Sequence, residues 1–192
     1  MGNSRSRPSC SRYVDPLRPI RRVSQVRKFS DETVSDDVVF QLLELARWTG
    51  SAMNSQPWKF IVVRDRETLR KIASLRPPMA WVATVPVAIA IVNDGAHPMF
   101  EAYDEGRLTE RLLTGATLLG YGGGVAWFGE PQHQEKAKSF LGIPEPLSAR
   151  QIVAIGRPMS GADSRLPGFA SGRKALGELV SIERYGATTP DR

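Results

Sequence analysis

The sequence predicts an α/β-type layered fold, with helices covering a sheet of about four strands in one domain. Three observations carry that expectation. Apolar residues recur at helical spacing in some segments, as in Val38, Val39, Leu42, Leu43 and Ala46, and cluster in short β-branched runs in others, as in residues 59–64. Strand-like and helix-like segments alternate along the chain. With 192 residues, 41% of them hydrophobic, the chain is long enough for one core of ordinary size.

The elements follow in order. Residues 1–15 read as a disordered basic tail, residues 16–185 as the single domain and residues 186–192 as a C-terminal tail. Residues 16–26 read as a short helix or extended arm. Ser35 is placed to cap a core helix over residues 35–48, with Asp36 and Asp37 favourably set in its first turn. Thr49-Gly50-Ser51 stops it. Residues 59–64 form a buried strand. Asp65 caps a helix running to Leu75, which Pro77 and Pro78 end. Residues 85–92 form a second strand and residues 93–98 a loop, and the short connection from Asn93 to Tyr103 makes any lid over a ligand modest. A long helix over residues 104–119 turns Leu108, Leu112, Leu113, Ala116 and Leu119 inward. Residues 120–124 are a glycine-rich turn before a short strand at residues 125–128. Pro131 opens a helix that ends at Leu141, with Gly142 as its stop. Residues 151–155 are the last clear strand, and residues 173–185 a C-terminal helix or arm. Four strands are few for a doubly wound domain of this length, so part of the sheet edge calls for a partner.

Composition narrows function. The longest apolar stretch, residues 82–92, falls short of the ~20 residues of a membrane span and contains Pro86. The single cysteine, Cys10, excludes an internal disulfide framework, fits a reducing compartment and so points to the cytoplasm. Cys10 with His97 and His133 gives too few soft ligands for a zinc site. The formal charge of +6 raises nucleic acid as a partner, but residues 1–30 hold eight basic residues and one acid, leaving the rest of the chain at −1. The basicity therefore belongs to the N-terminal segment, which also lacks the apolar core of a secretory signal.

The usual catalytic constellations are missing. No G-x-G-x-x-G, phosphate-loop lysine or G-x-S-x-G pattern occurs, and His133 sits on a charged, solvated helix face. Three features remain. Polar residues cluster in Ser51-Ala52-Met53-Asn54-Ser55-Gln56-Pro57-Trp58, where Pro57 would fix the directions of the amides; the residues alone admit either a ligand-facing loop or a turn with local hydrogen bonds. Gly120-Tyr121-Gly122-Gly123-Gly124 offers bare backbone for a flat ligand, or simply a flexible turn. Arg21, Arg22, Arg27, Arg173 and Lys174 are guanidinium and ammonium groups suited to phosphate, or solvated surface charge.

Taken in order, these motifs resemble the nitroreductase family, from about Arg21 to Tyr185. Arg27-Lys28-Phe29 is similar to the family's Arg-x-Phe element, and Ser51–Trp58 matches its Ser-Ala-x-Asn-x-Gln-Pro-Trp block fully. A helix from Glu105-Gly106-Arg107 into Gly120-Tyr121-Gly122 and Trp127, then Gly156-Arg157-Pro158 and Arg173-Lys174, complete the likeness. One departure is local. The family's Arg-x-Ser, counted back from Phe29, falls on Val23, Ser24 and Gln25, so the arginine and serine stand as Arg22 and Ser24; either the arm shifts or Gln25 takes the serine's contact.

The resemblance implies a three-layer sandwich around a central mixed sheet of about four to five strands, completed by a partner subunit. It implies FMN, NAD(P)H as reductant, and a homodimer with two flavins at the subunit interface. Cofactor-binding residues would be Arg22, Ser24, Gln25, Arg27, Ser51, Ala52, Asn54, Gln56, Gly124, Val125, Ala126, Trp127, Arg173 and Lys174. Arg173 with Arg22 or Arg27 would clamp the phosphate, and Asn54, as a buried amide, would meet the pyrimidine edge. Hydride would pass through flavin N5 in a ping-pong cycle to a nitro-aromatic, quinone or similar acceptor. No side chain is then needed as acid, base or nucleophile. Other flavin reactions, dehydrogenation or dehalogenation, and a non-catalytic basic-arm module for nucleic acid are the alternatives.

Overall fold

The computed structural model describes residues 15–160 and 172–187. The expected N-terminal tail lies outside the described residues except for Asp15, as does the C-terminal tail beyond residue 187. The elements run α1 (Arg18–Arg21), α2 (Asp36–Arg47), β1 (Trp58–Val63), α3 (Arg66–Ala73), β2 (Val87–Asn93), α4 (Pro98–Leu118), β3 (Gly122–Trp127), α5 (Pro131–Leu141) and β4 (Gln151–Gly156). Short 3₁₀ turns occupy Ala52–Asn54, Pro77–Thr84 and Leu176–Glu178.

The helix starts follow local chemistry. Ser35 accepts from the Val38 amide at 3.4 Å and Asp65 from the Thr68 amide at 2.7 Å, so each cap satisfies an otherwise orphaned donor. Pro131 opens α5, and Gly142 closes it in the left-handed conformation that a side chain would resist.

The strands form one sheet in the order β1-β2-β4-β3. All three pairings are antiparallel. The expected mixed character survives only as an isolated parallel bridge between Gln25 of the arm and Gly123 of β3. Central β2 is buried along its whole length, and its side chains alternate between two cores. Val87, Ile89 and Ile91 pack with Leu42 of α2 and Leu108 and Leu112 of α4. Ala88, Ala90 and Val92 pack with Leu69 and Ile72 of α3, Val82 of the 3₁₀ turn and Ala137 of α5. That is a three-layer arrangement, α2 and α4 above the sheet and α3 and α5 below. Truncating a fully buried side chain such as Leu112 to alanine would cost about 2–5 kcal/mol.

Four local expectations are corrected. α4 begins at Pro98, not at residue 104, so the second half of the connection read as a lid, residues 98–103, is helix. Gly122–Gly124 is strand, not turn. The glycines are needed because the arm lies directly on them: a Cβ at Gly124 would sit 2.0 Å from the Val26 carbonyl oxygen. Residues 173–185 hold only the short turn at Leu176–Glu178, and residues 172–187 are exposed throughout. Among the described residues no helix is long and apolar enough to cross a membrane. His133 is half-buried rather than solvated, with Nδ1 lacking a hydrogen-bond partner.

Candidate functional site

The residues singled out from the sequence fall into three groups, and one chain does not bring them together. The first group is the arm on β3. Val26 N–H donates to the Gly123 carbonyl at 2.8 Å, and Val125 N–H donates to Gln25 Oε1 at 2.8 Å. Gln25 Oε1 therefore satisfies the Val125 amide. Farther along, Ser30 N–H donates to the Arg157 carbonyl and Met159 N–H to that of Lys28, so the arm is pinned at several points. Arg22 and Ser24 stay exposed and Arg27 is half-buried. On the strand, Gly124 is pressed against the arm and Ala126 points into the core, so neither side chain position is open to a ligand. Trp127 is half-exposed, with the Arg76 guanidinium 5.1 Å over its ring and Arg76 Nη1 donating to its carbonyl at 3.1 Å.

The second group is the block before β1. Ser51 is half-buried, while Ala52, Met53, Asn54 and Gln56 are exposed. The expectation that Asn54 is a buried amide is overturned within the chain. Met53, Asn54 and Gln56 all have positive φ, at 51°, 56° and 47°. Such backbone is costly for residues with a Cβ, on the order of 1–3 kcal/mol each, and collects at ligand-facing positions. Gln56 also precedes Pro57, which narrows its options further. Four bonds hold the loop: Gln56 N–H to Ser51 Oγ at 2.9 Å, Gln56 Nε2 to the Asn54 carbonyl at 3.2 Å, Asn54 N–H to the Ser51 carbonyl at 3.1 Å and Ser55 N–H to the Ala52 carbonyl at 3.0 Å. The outcome is a strained loop presenting its amide side chains outward.

The register sets the separation of these groups. Trp58 pairs with Asn93 at one end of the first edge strand, whereas Gly122 pairs with Gly156 at the opposite end of the other edge strand. Three strand spacings and about five residues along the strands put the arm at Gln25–Gly124 and the loop on the order of 20 Å apart, on a diagonal of the sheet, whereas Trp127, paired with Gln151, lies at the loop's end of β3. The third group, Arg173 and Lys174, lies in the exposed C-terminal segment, where Arg173 Nη1 donates to the neighbouring Gly172 carbonyl at 3.1 Å.

Beside the strained loop lies a cavity of about 550 Å³ that the sequence did not reveal. Ser51 and Ala52 form one wall; Met99, Phe100, Tyr103, Asp104 and Arg107 of α4 form the other. The available signal was Pro98, a residue suited to the first position of a helix. Beneath this wall, α4 is anchored by a buried polar cluster. Arg150 binds Glu101 at 2.7 Å and Glu105 at 2.9 Å. Ser148 Oγ donates to Glu101 at 2.8 Å, and Asn93 Nδ2 donates to Glu105 at 2.5 Å. Two carboxylates share one guanidinium, so the cluster carries a net negative charge. Burial pushes the Glu105 carboxyl up to about 6, against the pull of Arg150. Burial works on Glu101 in the same direction, but Ser148, Arg150 and the His97 amide outweigh it and hold that carboxyl below its ordinary value.

A model of the nitroreductase family matches residues 20–77, which span the arm, the strained loop and β1. A protein of Archaeoglobus fulgidus, provisionally named NADH dehydrogenase/NAD(P)H nitroreductase, is 33% identical over 157 residues, covering 77% of this chain and 87% of that protein. One from Methanothermobacter thermautotrophicus with the same provisional name is 30% identical over 158 residues, covering 79% and 82%. Among solved structures, an FMN-dependent nitroreductase from Clostridium difficile superposes with a TM-score of 0.75 at 19% identity, covering 87% of this chain and 98% of that one; at such identity the likeness speaks for the fold.

Proposed function

The chain belongs to the nitroreductase family, and from that premise we propose that it is an FMN-dependent NAD(P)H oxidoreductase acting as a homodimer on nitro-aromatic, quinone or similar electron-poor acceptors. The observation that carries this reading is the strained, outward-facing loop Met53–Gln56. Its amides are held in a costly backbone and are spent little inside the chain.

The residues fit FMN by their chemistry. Arg22 and Arg27 on the arm, with Arg173 and Lys174 near the C-terminus, supply cationic donors for a phosphate. Asn54 and Gln56 supply the donor and acceptor pairs that a flavin's pyrimidine edge requires. Trp127 supplies an apolar face at the end of β3. Because the two main groups lie at diagonal corners, one FMN is best served by the arm of one copy and the strained loop of another. The exposed Leu176, Leu179 and Tyr185 give the C-terminal segment an apolar face to lay on a second copy. An obligate interface of this sort buries more than about 2,000 Å².

FMN held there would supply the two-electron redox chemistry between NAD(P)H and an acceptor that also takes up protons. This chain's part is binding and placement. The arm fixes the cofactor's charged end, the amides orient its ring, and α4 shapes the space beside it.

The test is direct. The purified protein should carry about one FMN per chain, oxidise NADH or NADPH with a nitro-aromatic or quinone, and sediment as a dimer at low micromolar concentration. A colourless protein that FMN does not reconstitute would overturn the proposal, as would a yellow, active monomer of 21.2 kDa for the shared site.

A further inference from the structure

We propose that the cavity between Ser51–Ala52 and the first turns of α4 holds the electron acceptor, and that Arg107 selects planar aromatic acceptors bearing an anionic substituent such as a carboxylate. This deepens the oxidoreductase reading and rests on it.

The walls argue for a flat apolar body. Met99, Phe100 and Tyr103 are 77%, 55% and 72% exposed, although they follow one another on one helix and face a concavity. Large apolar groups left in water around a hollow mark a place where a ligand's apolar surface replaces solvent. At about 550 Å³, the space suits one or two fused rings. The position is right for an acceptor, because Ser51 and Ala52 belong to the loop assigned above to the cofactor.

The charge argues for an anionic substituent. Arg107 is the cation of this cavity, and its guanidinium lies 5.9 Å from the Tyr103 ring on one side. On the other it packs against bare backbone, where a Cβ on Gly50 would come within 2.9 Å of Nη2. It is therefore held in place rather than swinging in solvent. Its carboxylate neighbour, Asp104, is 3.4 Å away, a long contact for an ion pair. Asp104 also lines the cavity and its Oδ1 accepts from Arg107 Nη1, but it presents 6% of its side chain to solvent against 43% for Arg107, so the guanidinium is the more accessible of the two charges. A planar fork beside aromatic walls matches an aryl carboxylate in both shape and charge.

The experiment compares para-nitrobenzoate with its neutral methyl ester in NAD(P)H-driven turnover by the flavin-loaded dimer. The kcat/KM ratio, acid over ester, should exceed unity by roughly tenfold in the unaltered protein. Arg107→Gln should pull the ratio to about one or below. Asp104→Asn, which removes the competing carboxylate without changing shape, should raise it; this variant keeps the test decisive if Arg107→Gln folds poorly. A ratio at or below one in the unaltered protein, or a ratio that neither variant moves, overturns the proposal. So does an Arg107→Gln variant whose loss lies in the KM for NAD(P)H, since the guanidinium would then serve the reductant's phosphates. If neither compound is reduced and the protein holds no FMN, it is the oxidoreductase reading that fails, and this proposal with it.

Discussion

The two corners of the sheet that hold candidate cofactor residues are built on opposite principles. At the β3 corner, the arm's backbone is hydrogen-bonded into the sheet edge, Gln25 satisfies the Val125 amide, and glycines let two backbones touch. At the β1 corner, residues with side chains stand in left-handed backbone, amides face solvent, and an apolar cavity opens beside them. The backbone of the first corner is satisfied within one chain, leaving exposed side chains such as Arg22 to a ligand, whereas the second corner is shaped for something outside it. Perturbing the first should therefore cost stability, whereas perturbing the second should cost ligand and can even add stability.

The largest effect falls at the first corner. In Gly124→Ala the new Cβ would lie 2.0 Å from the Val26 carbonyl oxygen, so the arm must lift off β3. The expected loss is about 3 kcal/mol, at the upper end for overpacking, because backbone rather than a flexible side chain must move. The denaturant midpoint reports it. A loss below about 1 kcal/mol would mean the arm is not integral to the fold.

The next effect concerns the support beneath the second corner. Glu105 has a folded-state pKa raised from 4.5 to about 6. Between those values the folded state holds the proton more tightly than the unfolded chain, so stability falls as pH rises through that window and the penalty is complete above it. Glu101, lowered, works the other way: its contribution is present above its unfolded pKa and is lost on acidification. Glu105→Gln should thus stabilise the protein at pH 8 by up to about 2 kcal/mol and leave it nearly unchanged at pH 4.5. Thermal unfolding at the two pH values checks this, and equal effects at both would contradict it.

A smaller effect is expected in the exposed C-terminal segment. Arg173→Ala should leave folding unaffected and weaken FMN by about tenfold, near 1.4 kcal/mol, if its guanidinium meets the phosphate. Fluorescence titration of the apoprotein measures it, and unchanged affinity removes Arg173 from the site.

How far the sequence revealed this molecule depends on where each signal resides. The caps at Ser35 and Asp65 and the Pro131–Gly142 bounds of α5 were legible because the chemistry is local. β1, β2 and β4 were legible from apolar runs of strand length. Gly122–Gly124 was misread because glycine has no strand preference of its own; the arm and the core impose the conformation. The start of α4 was missed because Met99, Phe100 and Tyr103 are apolar yet exposed, which breaks the helical burial pattern. The Glu101–Arg150–Glu105 cluster joins residues more than forty positions apart and leaves no local trace. The candidate cofactor residues were nameable singly, but their division between two corners depends on sheet register, which no local motif encodes.

The smallest effect bears most directly on the contrast between the corners. Met53 is 98% exposed with a φ of 51°, so its side chain contributes almost no packing while its backbone stays in a region disfavoured by a Cβ. Met53→Gly removes that penalty, on the order of 1–2 kcal/mol, and adds back up to about 1 kcal/mol of unfolded-state entropy. The isolated chain should gain about 0.5–1 kcal/mol, a rise in Tm of about 1–4 °C for a domain of this size. If the loop is strained because a ligand or second copy needs it so, the same change should slow turnover or loosen FMN while Tm rises. A variant that loses stability would show that the left-handed turn is held by favourable contacts of its own, and the two corners would then differ in exposure but not in design.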